Sequence, residues 1–260
     1  DIKRMLLVTV VGSSKIALIT GSSRGIGAAT ALKLAAMGYG ICVNYRRDAE
    51  AAHAVVAEAK KKGVSAIAVR ADISIEDDVV KLFTEMDSKL GKLTHLVNNA
   101  GILFSQPRLV DLSVDRINKI FATNVIGTML CCREAIKRMS TQAGGVGGVI
   151  VNVSSVAARL GAPNEYIDYA MSKGAIDTLT KGLAIEVAEE GIRVNAVSPG
   201  VIYTEMHADG GEPDRVDRVK QFVPLKRGGK VEEVAEAICF LLSEKSSYST
   251  GVILDVAGGR

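Results

Sequence analysis

Residues 15–27 read KIALITGSSRGIG, and this stretch decides the fold class. Its first six residues form an apolar run that predicts a short buried strand. Three glycines follow, Gly21, Gly25 and Gly27, and a helix of Ala, Leu and Lys then runs to about residue 37. A strand, a glycine-rich turn and a helix together are typical of a phosphate cradle, because the helix N-terminus offers free N–H groups and a partial positive charge. The stretch therefore predicts a nucleotide-binding α/β fold.

Each glycine of this turn has an expected role. The spacing is Gly-x-x-x-Gly-x-Gly rather than the commoner Gly-x-Gly-x-x-Gly, so it is a weak pattern without its flanking strand and helix. We expect Gly21 to permit the tight turn and Gly25 to let the backbone approach a pyrophosphate. Gly27 is expected to let the helix pack closely on the strand.

The rest of the chain continues the alternation of strands and helices. Further strands are predicted at residues 40–45, 64–70, 93–97, 149–153, 192–197 and 251–256, and helices at 49–62, 75–90, 114–139, 165–190 and 231–243. This order predicts successive βαβ units, and hence a Rossmann-like, doubly wound, seven-stranded parallel sheet in a single catalytic domain, residues 15–260. Residues 1–14 are interpreted as an N-terminal extension or a cloning remnant. Residues 201–230, the lid segment, are polar and irregular, which is typical of a segment that covers a site.

Composition excludes several classes of function. The net charge of +3 is small and the Lys and Arg residues are scattered, which argues against a nucleic-acid partner. No apolar run reaches the ~18 residues that a membrane span needs. The four cysteines lack CxxC spacing and the three histidines are far apart, so we expect no metal site and no disulfides. These features predict a cytoplasmic protein with buried, reduced thiols.

A second stretch, residues 149–173, carries candidate chemistry and reads VIVNVSSVAARLGAPNEYIDYAMSK. Its strand ends in Ser154 and Ser155, and its helix carries Tyr169 and Lys173. Residues four apart share a helix face, so the ammonium is expected to lie beside the phenol and lower its pKa. Such a tyrosine can exchange a proton at neutral pH. Taken alone, the pair is more often a packing tyrosine and a solvent-exposed lysine, so the rest of the chain must decide.

The end of the second strand indicates which dinucleotide is bound. An acidic residue there would hold the ribose 2′-hydroxyl of NAD. The chain instead offers Asn44, Tyr45, Arg46 and Arg47, with Arg24 nearby in the glycine turn. Guanidinium groups suit a 2′-phosphate, so NADP (as NADPH) is predicted and NAD is less expected. The next residue, an aspartate, is interpreted as the N-cap of the following helix.

Seven motifs occur in the order of one known family. They are TGSSRGIG at 20–27, Asp72, NNAG at 98–101, Asn124, Ser155, the Tyr169/Lys173 pair and SPG at 198–200. With this ordered set the chain resembles the short-chain dehydrogenase/reductase family over residues 15–259. This resemblance favours a catalytic role for Tyr169 and Lys173 over a packing role.

The resemblance implies a catalytic tetrad of Asn124, Ser155, Tyr169 and Lys173. Tyr169 would be the general acid in carbonyl reduction, and Ser155 would hold the substrate oxygen. Lys173 would lower the pKa of Tyr169 and bind the nicotinamide ribose, and Asn124 would anchor a water that supplies protons to Lys173. The implied cofactor contacts are Gly21, Ser23, Arg24, Gly25, Ile26, Gly27, Asn44, Tyr45, Arg46, Asp72, Ile73, Asn98, Ala100, Gly101, Pro199, Gly200, Ile202 and Thr204.

One departure from the family pattern leaves an alternative open. The segment between the serine and the tyrosine is one residue longer than in many relatives, around residues 162–165. Ser154 is therefore a rival to Ser155, and Tyr166 is a second tyrosine near the cleft. Tyr166 is followed four residues later by Ala170 rather than by lysine, so we do not expect it to be the acid.

The predicted function is NADP(H)-dependent hydride transfer to or from a small carbonyl compound, a secondary alcohol or a sugar-like polyol. The alternative is a β-ketoacyl-(acyl carrier protein) reductase, and a non-catalytic nucleotide-sensing protein is less expected. An acidic carrier calls for a basic docking surface, whereas the helix after the lysine ends in Glu186, Glu189 and Glu190. Helices 114–139 and 165–190 carry surplus apolar residues, from which the family usually builds homotetramers.

Overall fold

The computed structural model describes residues 15–260, and the predicted extension at residues 1–14 lies outside the described residues. Seven strands form one parallel sheet in the order β3-β2-β1-β4-β5-β6-β7. The strand order reverses between β1 and β4, and ligands of open α/β sheets bind beyond the carboxyl ends of the strands at such a point. The predicted fold class is confirmed. The strands are β1 Ile16–Ile19, β2 Gly40–Tyr45, β3 Ala66–Arg70, β4 His95–Asn98, β5 Gly148–Val153, β6 Ile192–Pro199 and β7 Ile253–Val256.

Helices cover both faces of the sheet. One buried apolar cluster includes residues of the first, second and last helices, and a second cluster includes residues of the third, fifth and seventh. The central strands are buried on both faces, which explains why they read as continuous apolar runs, whereas the edge strands β3 and β7 are only partly buried. The helices are α1 Gly25–Ala36, α2 Ala49–Lys61, α3 Glu76–Leu90, α4 Val114–Phe121, α5 Thr128–Met139, α6 Ala157–Leu160, α7 Ile167–Glu186, α8 Met206–Asp209, α9 Arg215–Val219 and α10 Val231–Leu242.

The predicted uninterrupted helix at 114–139 is wrong. Residues Ala122–Gly127 form a π-helical segment between α4 and α5. Gly127 lies so close to the chain after β3 that an added Cβ would stand 2.8 Å from the carbonyl oxygen of Ile73. The wider turn also presents Asn124 toward the loop after β4, where it bonds to the backbone of Ile102. Single π-helical turns inside helices are frequent at functional sites.

Two other predicted segments differ from the structure. The helix that carries Tyr169 ends at Glu186 rather than near residue 190, and a 3₁₀ turn then leads to Gly191 in the left-handed conformation, at φ 73°. The lid segment is not irregular throughout, since it contains α8 and α9. Valines of this segment form a small buried cluster of their own: Val201, Val216, Val219 and Val223.

Candidate active site

Two asparagines fix the shape of the glycine turn after β1. The Gly21 N–H donates to Asn44 Oδ1 at 3.1 Å. Asn99 Nδ2 donates to the carbonyl oxygens of Thr20 and Gly21 at 3.0 and 2.9 Å. A Cβ at Gly27 would stand 2.6 Å from that same Asn99 nitrogen, so only glycine fits there. Sequence reasoning missed the role of Asn99, although the NNAG motif contains it.

The N-terminus of α1 is open to an anion. Arg24 precedes the helix in extended conformation, its side chain makes no capping hydrogen bond, and the first turn holds no acidic residue. Gly25 has a left-handed φ of 58°, and an added Cβ would meet nothing closer than Glu205 Oε2 at 3.7 Å. The backbone N–H groups of the first helical turn are therefore available to phosphate oxygens. These residues fit the pyrophosphate of a dinucleotide.

Two of the three arginines predicted to bind a 2′-phosphate lie beside carboxylates. Arg46 Nε is 2.8 Å from Asp72 Oδ2, with half of the arginine side chain exposed. Arg24 pairs with Asp209 of α8. Arg47 is exposed. All three guanidinium groups remain within reach of solvent and hence of a phosphate.

Asn44 and Asn98 are buried rather than open to a ligand. Asn44 Nδ2 donates to the carbonyl oxygens of Val69 and Ala71 at 3.4 and 3.1 Å, so this side chain holds the glycine turn against β3. Asn98 Nδ2 donates to Asn152 Oδ1 at 2.9 Å, while its Oδ1 has no hydrogen-bond partner. Both side chains brace the carboxyl end of the sheet.

The other predicted cofactor residues surround the same end of the sheet. The Ala100 N–H donates to Thr20 Oγ1 at 3.0 Å. A Cβ at Gly101 would stand 3.6 Å from Lys173 Nζ, so this glycine leaves room beside the lysine. Ile73 is buried, and Ser23 and Tyr45 are half-buried. Residues that line the central cleft are Ile26, Pro199, Gly200, Ile202 and Thr204.

Tyr169 and Lys173 lie together on the first turns of α7. The Lys173 ammonium is 5.5 Å from the centroid of the Tyr169 ring. Its Nζ donates to the Val153 carbonyl oxygen at 2.7 Å, at the end of β5. Both residues are buried and both line the cleft.

Burial controls the protonation of this pair. Burial raises the pKa of Tyr169 to about 12, although hydrogen bonding to Ser155 and the charge of Arg215 act in the opposite direction. Burial lowers the pKa of Lys173 to about 8, against the charge of Asp177. The expected lowering of the Tyr169 pKa by Lys173 is therefore absent from this structure. The desolvation of the phenolate outweighs the charges around it.

The two serines at the end of β5 face different partners. Ser154 is buried, and its Oγ donates to Asp177 Oδ1 at 2.5 Å. Ser155 is half-buried, and its Oγ accepts from the Ala157 N–H at 3.1 Å. Its hydroxyl acts to lower the pKa of Tyr169. Both serines line the cleft, but only Ser155 influences the Tyr169 pKa, whereas the Ser154 hydroxyl is occupied by Asp177.

Asn124 connects the π-helical segment to α7. Its Oδ1 accepts from the Ile102 N–H at 2.8 Å, and its Nδ2 donates to the Ile102 carbonyl oxygen and to Ser172 Oγ, both at 3.1 Å. Ser172 lies between the tyrosine and the lysine on α7. The amide side chain is fully hydrogen-bonded to protein, and it holds the start of α7 against the loop after β4.

A cleft of about 410 Å³ opens over these residues. Its wall has apolar members, which include Leu103, Val156 and Met206. It also has polar members, and sequence reasoning did not assign several of them to a site. These are Glu165, His207 and Arg215.

Metal and membrane features are absent from the described part of the chain. Within residues 15–260, no three His, Cys, Asp or Glu side chains lie together in a way that could hold a metal ion. None of the helices in this range is both long and apolar enough to cross a membrane. The four cysteines are buried and unpaired.

Comparisons with known proteins cover almost the whole chain. A family model described as "Enoyl-(Acyl carrier protein) reductase" matches residues 21–260. An Escherichia coli K12 protein named "Uncharacterized oxidoreductase YgfF" is 60% identical over 245 residues, which is 94% of this chain and 99% of that protein. The 3-oxoacyl-[acyl-carrier-protein] reductase FabG of Staphylococcus aureus Mu50 is 38% identical over 246 residues, covering 95% and 98% of the two chains.

Solved structures agree with these sequence matches. A short-chain dehydrogenase from Burkholderia cenocepacia J2315 in complex with NADP is 34% identical, with a TM-score of 0.86 and coverage of 94% of this chain and 97% of that one. A short-chain dehydrogenase/reductase from Serratia marcescens BCRC 10948 is 32% identical, with a TM-score of 0.87 and coverage of 95% and 98%.

Proposed function

This chain belongs to the short-chain dehydrogenase/reductase family, and on that basis we propose that it is a cytoplasmic, NADP(H)-dependent oxidoreductase. Its substrate is the carbonyl group or secondary alcohol of a small, uncharged molecule. One observation carries the proposal. Tyr169 is buried and lines one cleft together with Ser155 and Lys173, and the lysine ammonium lies 5.5 Å from its ring centroid. The buried, unpaired thiols support a reducing compartment.

The residues of the cleft suit proton transfer to a reduced carbonyl. The nicotinamide, when bound, supplies or accepts the hydride. Ser155 donates a hydrogen bond to the substrate oxygen, where negative charge develops. Tyr169 has a raised pKa, so it holds its proton at neutral pH and can give it to that oxygen. Lys173 has a pKa of about 8, and its ammonium can replace a proton that the tyrosine has given up.

A carrier-bound acyl chain is the second candidate substrate. The name of the S. aureus relative and the description of the matching family model both favour it. Against it, Glu186, Glu189 and Glu190 stand at the end of α7 and in the turn that follows, where an acidic carrier would be repelled. The size of the cleft, about 410 Å³, suits a nicotinamide with a small substrate. We therefore favour the free small molecule.

A substrate panel tests the proposal. Aldoses, diketones and β-ketoacyl thioesters are assayed with NADPH and with NADH by nicotinamide absorbance. The same β-ketoacyl group is then compared on the carrier protein and on a short thiol mimic. A carrier-bound kcat/KM more than about tenfold higher, falling steeply with added salt, would favour the second candidate. If NADPH binds but nothing is reduced, the protein is a nucleotide sensor instead.

The cofactor preference depends on arginines at the end of β2. Replacing Arg46 and Arg47 together by glutamine should reduce the preference for NADPH over NADH by roughly 1–3 kcal/mol, because each can form a charge-assisted hydrogen bond to a 2′-phosphate. The change also leaves Asp72 without its partner, 2.8 Å away, and its charge repels a phosphate. The measurement is kcat/KM with both cofactors, and Lys61→Ala, an exposed cation at the end of α2, is the control. A wild-type protein with an equal or higher kcat/KM for NADH contradicts the proposal.

The outer faces of α5 and α7 support a homotetramer. Met171 and Ile185 of α7 are 58% and 81% exposed, and Met129 of α5 is 51% exposed. Exposed apolar residues that group together on a surface are typical of a protein interface, and homo-oligomers are usually closed and symmetric. Light scattering should give a mass about four times the 27.4 kDa protomer. We expect Ile185→Arg to reduce this mass, and a monomeric wild-type protein at micromolar concentration would refute the tetramer.

A further inference from the structure

An ion pair between the buried Arg215 and the half-buried Glu165 forms part of the cleft wall and has no role in the chemistry proposed above. The Arg215 guanidinium, in a residue only 6% exposed, donates to both carboxylate oxygens of Glu165, at 2.9 and 2.6 Å. Glu212 lies 3.4 Å from the same arginine and also pairs with Arg218. Glu165 and Arg215 both line the cleft that contains Tyr169.

This pair stands one aromatic ring away from the catalytic tyrosine. The Arg215 guanidinium is 4.9 Å from the centroid of the Tyr166 ring. The Tyr166 ring in turn meets the Tyr169 ring edge-on, with the centroids 5.6 Å apart. A substrate group that extends from the reacting carbonyl past Tyr166 therefore meets the ion pair.

The pair also joins segments that are far apart in the chain. Glu165 belongs to the lengthened stretch before α7, where Ala162 and Asn164 take left-handed φ values of 44° and 60°. Arg215 is the first residue of α9 in the lid segment. Gln106, in the loop after β4, donates to Glu212 at 2.5 Å. Three segments of the cleft are thus tied together at this end.

The charges of this cluster satisfy one another. It holds the carboxylates of Glu165 and Glu212 and the guanidinium groups of Arg215 and Arg218. The cluster itself therefore has no surplus positive charge to attract an anionic substrate. An alkyl chain pressed against this partly buried ion pair must either separate the charges or desolvate them further, and both are unfavourable.

We propose that the Glu165–Arg215 pair is the end wall of the substrate cleft, which holds the lid segment closed and restricts the substrate to short, uncharged carbonyl compounds. This inference rests on the proposed function, since it needs a carbonyl to be reduced at Tyr169. It assigns the limit on substrate length to Glu165 and Arg215, which do not take part in proton transfer.

The test uses 2,3-diketones from four to eight carbons, with NADPH. For the wild-type protein, kcat/KM should fall about tenfold or more from the shortest to the longest diketone. In Glu165→Ala and in Arg215→Ala, the kcat/KM for the longest diketone divided by that for the shortest should rise by about tenfold or more, because the end wall is open. The double variant should show no larger rise than either single variant, since both changes open one wall. The ratio cancels any general loss of turnover, because both substrates use the same acid.

Control variants separate the loss of the end wall from the general loss of an ion pair and from misfolding. Lys220→Ala removes an exposed ion pair from the same lid segment and should leave the ratio unchanged. Glu165→Gln and Arg215→Met keep the side-chain volume in case the alanine variants fail to fold. Hydrogen exchange of residues 215–223 gives a readout without substrate, and it should be faster in Glu165→Gln than in wild type.

The possible results distinguish a failure of the end-wall proposal from a failure of the proposed function. Turnover with an unchanged length ratio in the variants, or a wild-type preference for the longest diketone, overturns the end wall. If wild type reduces no carbonyl compound, the proposed function fails, and the exchange rates still test the pair. Unchanged exchange in Glu165→Gln then overturns the wall independently.

Discussion

Replacing Tyr169 by phenylalanine is expected to remove carbonyl reduction and to leave NADPH binding nearly unchanged. The phenol is the proton donor in the proposed reaction, and general acid catalysis contributes about 10²–10⁴-fold to a rate. The ring itself stays, so the contacts with Lys173 at 5.5 Å and with Tyr166 at 5.6 Å are kept. Since the hydroxyl contributes mainly in the transition state, kcat should fall while the Kd for NADPH stays constant. Single-turnover absorbance and a fluorescence titration measure the two quantities.

Tyr166→Phe is the matched control for this experiment. Its ring packs between Tyr169 and Arg215, and burial raises its pKa, so the hydroxyl keeps its proton. No lysine follows it by four residues, and Ala170 stands there instead. Its loss should cost far less activity than the loss of the Tyr169 hydroxyl. If Tyr166→Phe is the inactive variant and Tyr169→Phe is active, the assignment of the acid is wrong.

Local patterns in the sequence were enough to predict the sheet and the helix that carries the acid. The second strand was predicted at residues 40–45 and lies at Gly40–Tyr45, because turn residues bound its apolar run on both sides. Asp48 accepts a hydrogen bond from the Ala51 N–H at 2.9 Å, as expected of an N-cap. The spacing of four residues places Tyr169 and Lys173 side by side because both lie within one regular helix.

Features that depend on contacts between distant residues could not be predicted. The π-helical turn at Asn124 depends on the close approach of Gly127 to Ile73 and on hydrogen bonds to Ile102, which no helix propensity encodes. The pair between Glu165 and Arg215 joins residues 50 positions apart. The pKa of Tyr169 depends on how deeply the fold buries the phenol. The presence of Lys173 four residues later does not reveal that depth.

The valines of the lid segment are a signal that was present and not used. Val216, Val219 and Val223 recur at helical spacing, and they pack together with Val201. This periodicity predicts an amphipathic helix at α9. The surrounding charges make the segment look irregular, and two of them, Arg215 and Arg218, form ion pairs with Glu165 outside the segment.

Replacing Ser155 by alanine should lower kcat by about 10²–10³-fold, the cost of removing one donor to a developing oxyanion. Ser155 is half-buried, lines the cleft and acts to lower the pKa of Tyr169. NADPH affinity and the thermal midpoint should change little, since its other bond is to the Ala157 N–H in a local turn. The measurement is kcat with a reactive diketone, alongside a cofactor titration.

Ser154→Ala separates this role from simple packing. The Ser154 hydroxyl is buried and donates to Asp177 Oδ1 at 2.5 Å, so its loss leaves a half-buried carboxylate without that donor. The expected result is the reverse of the Ser155 result. The free energy of unfolding should fall by about 1–3 kcal/mol, which lowers the melting temperature, and kcat should stay within about tenfold of wild type. If Ser154→Ala abolishes turnover while Ser155→Ala remains active, the substrate oxygen is held by Ser154. The one-residue extension before α7 would then have shifted the reacting carbonyl toward the sheet.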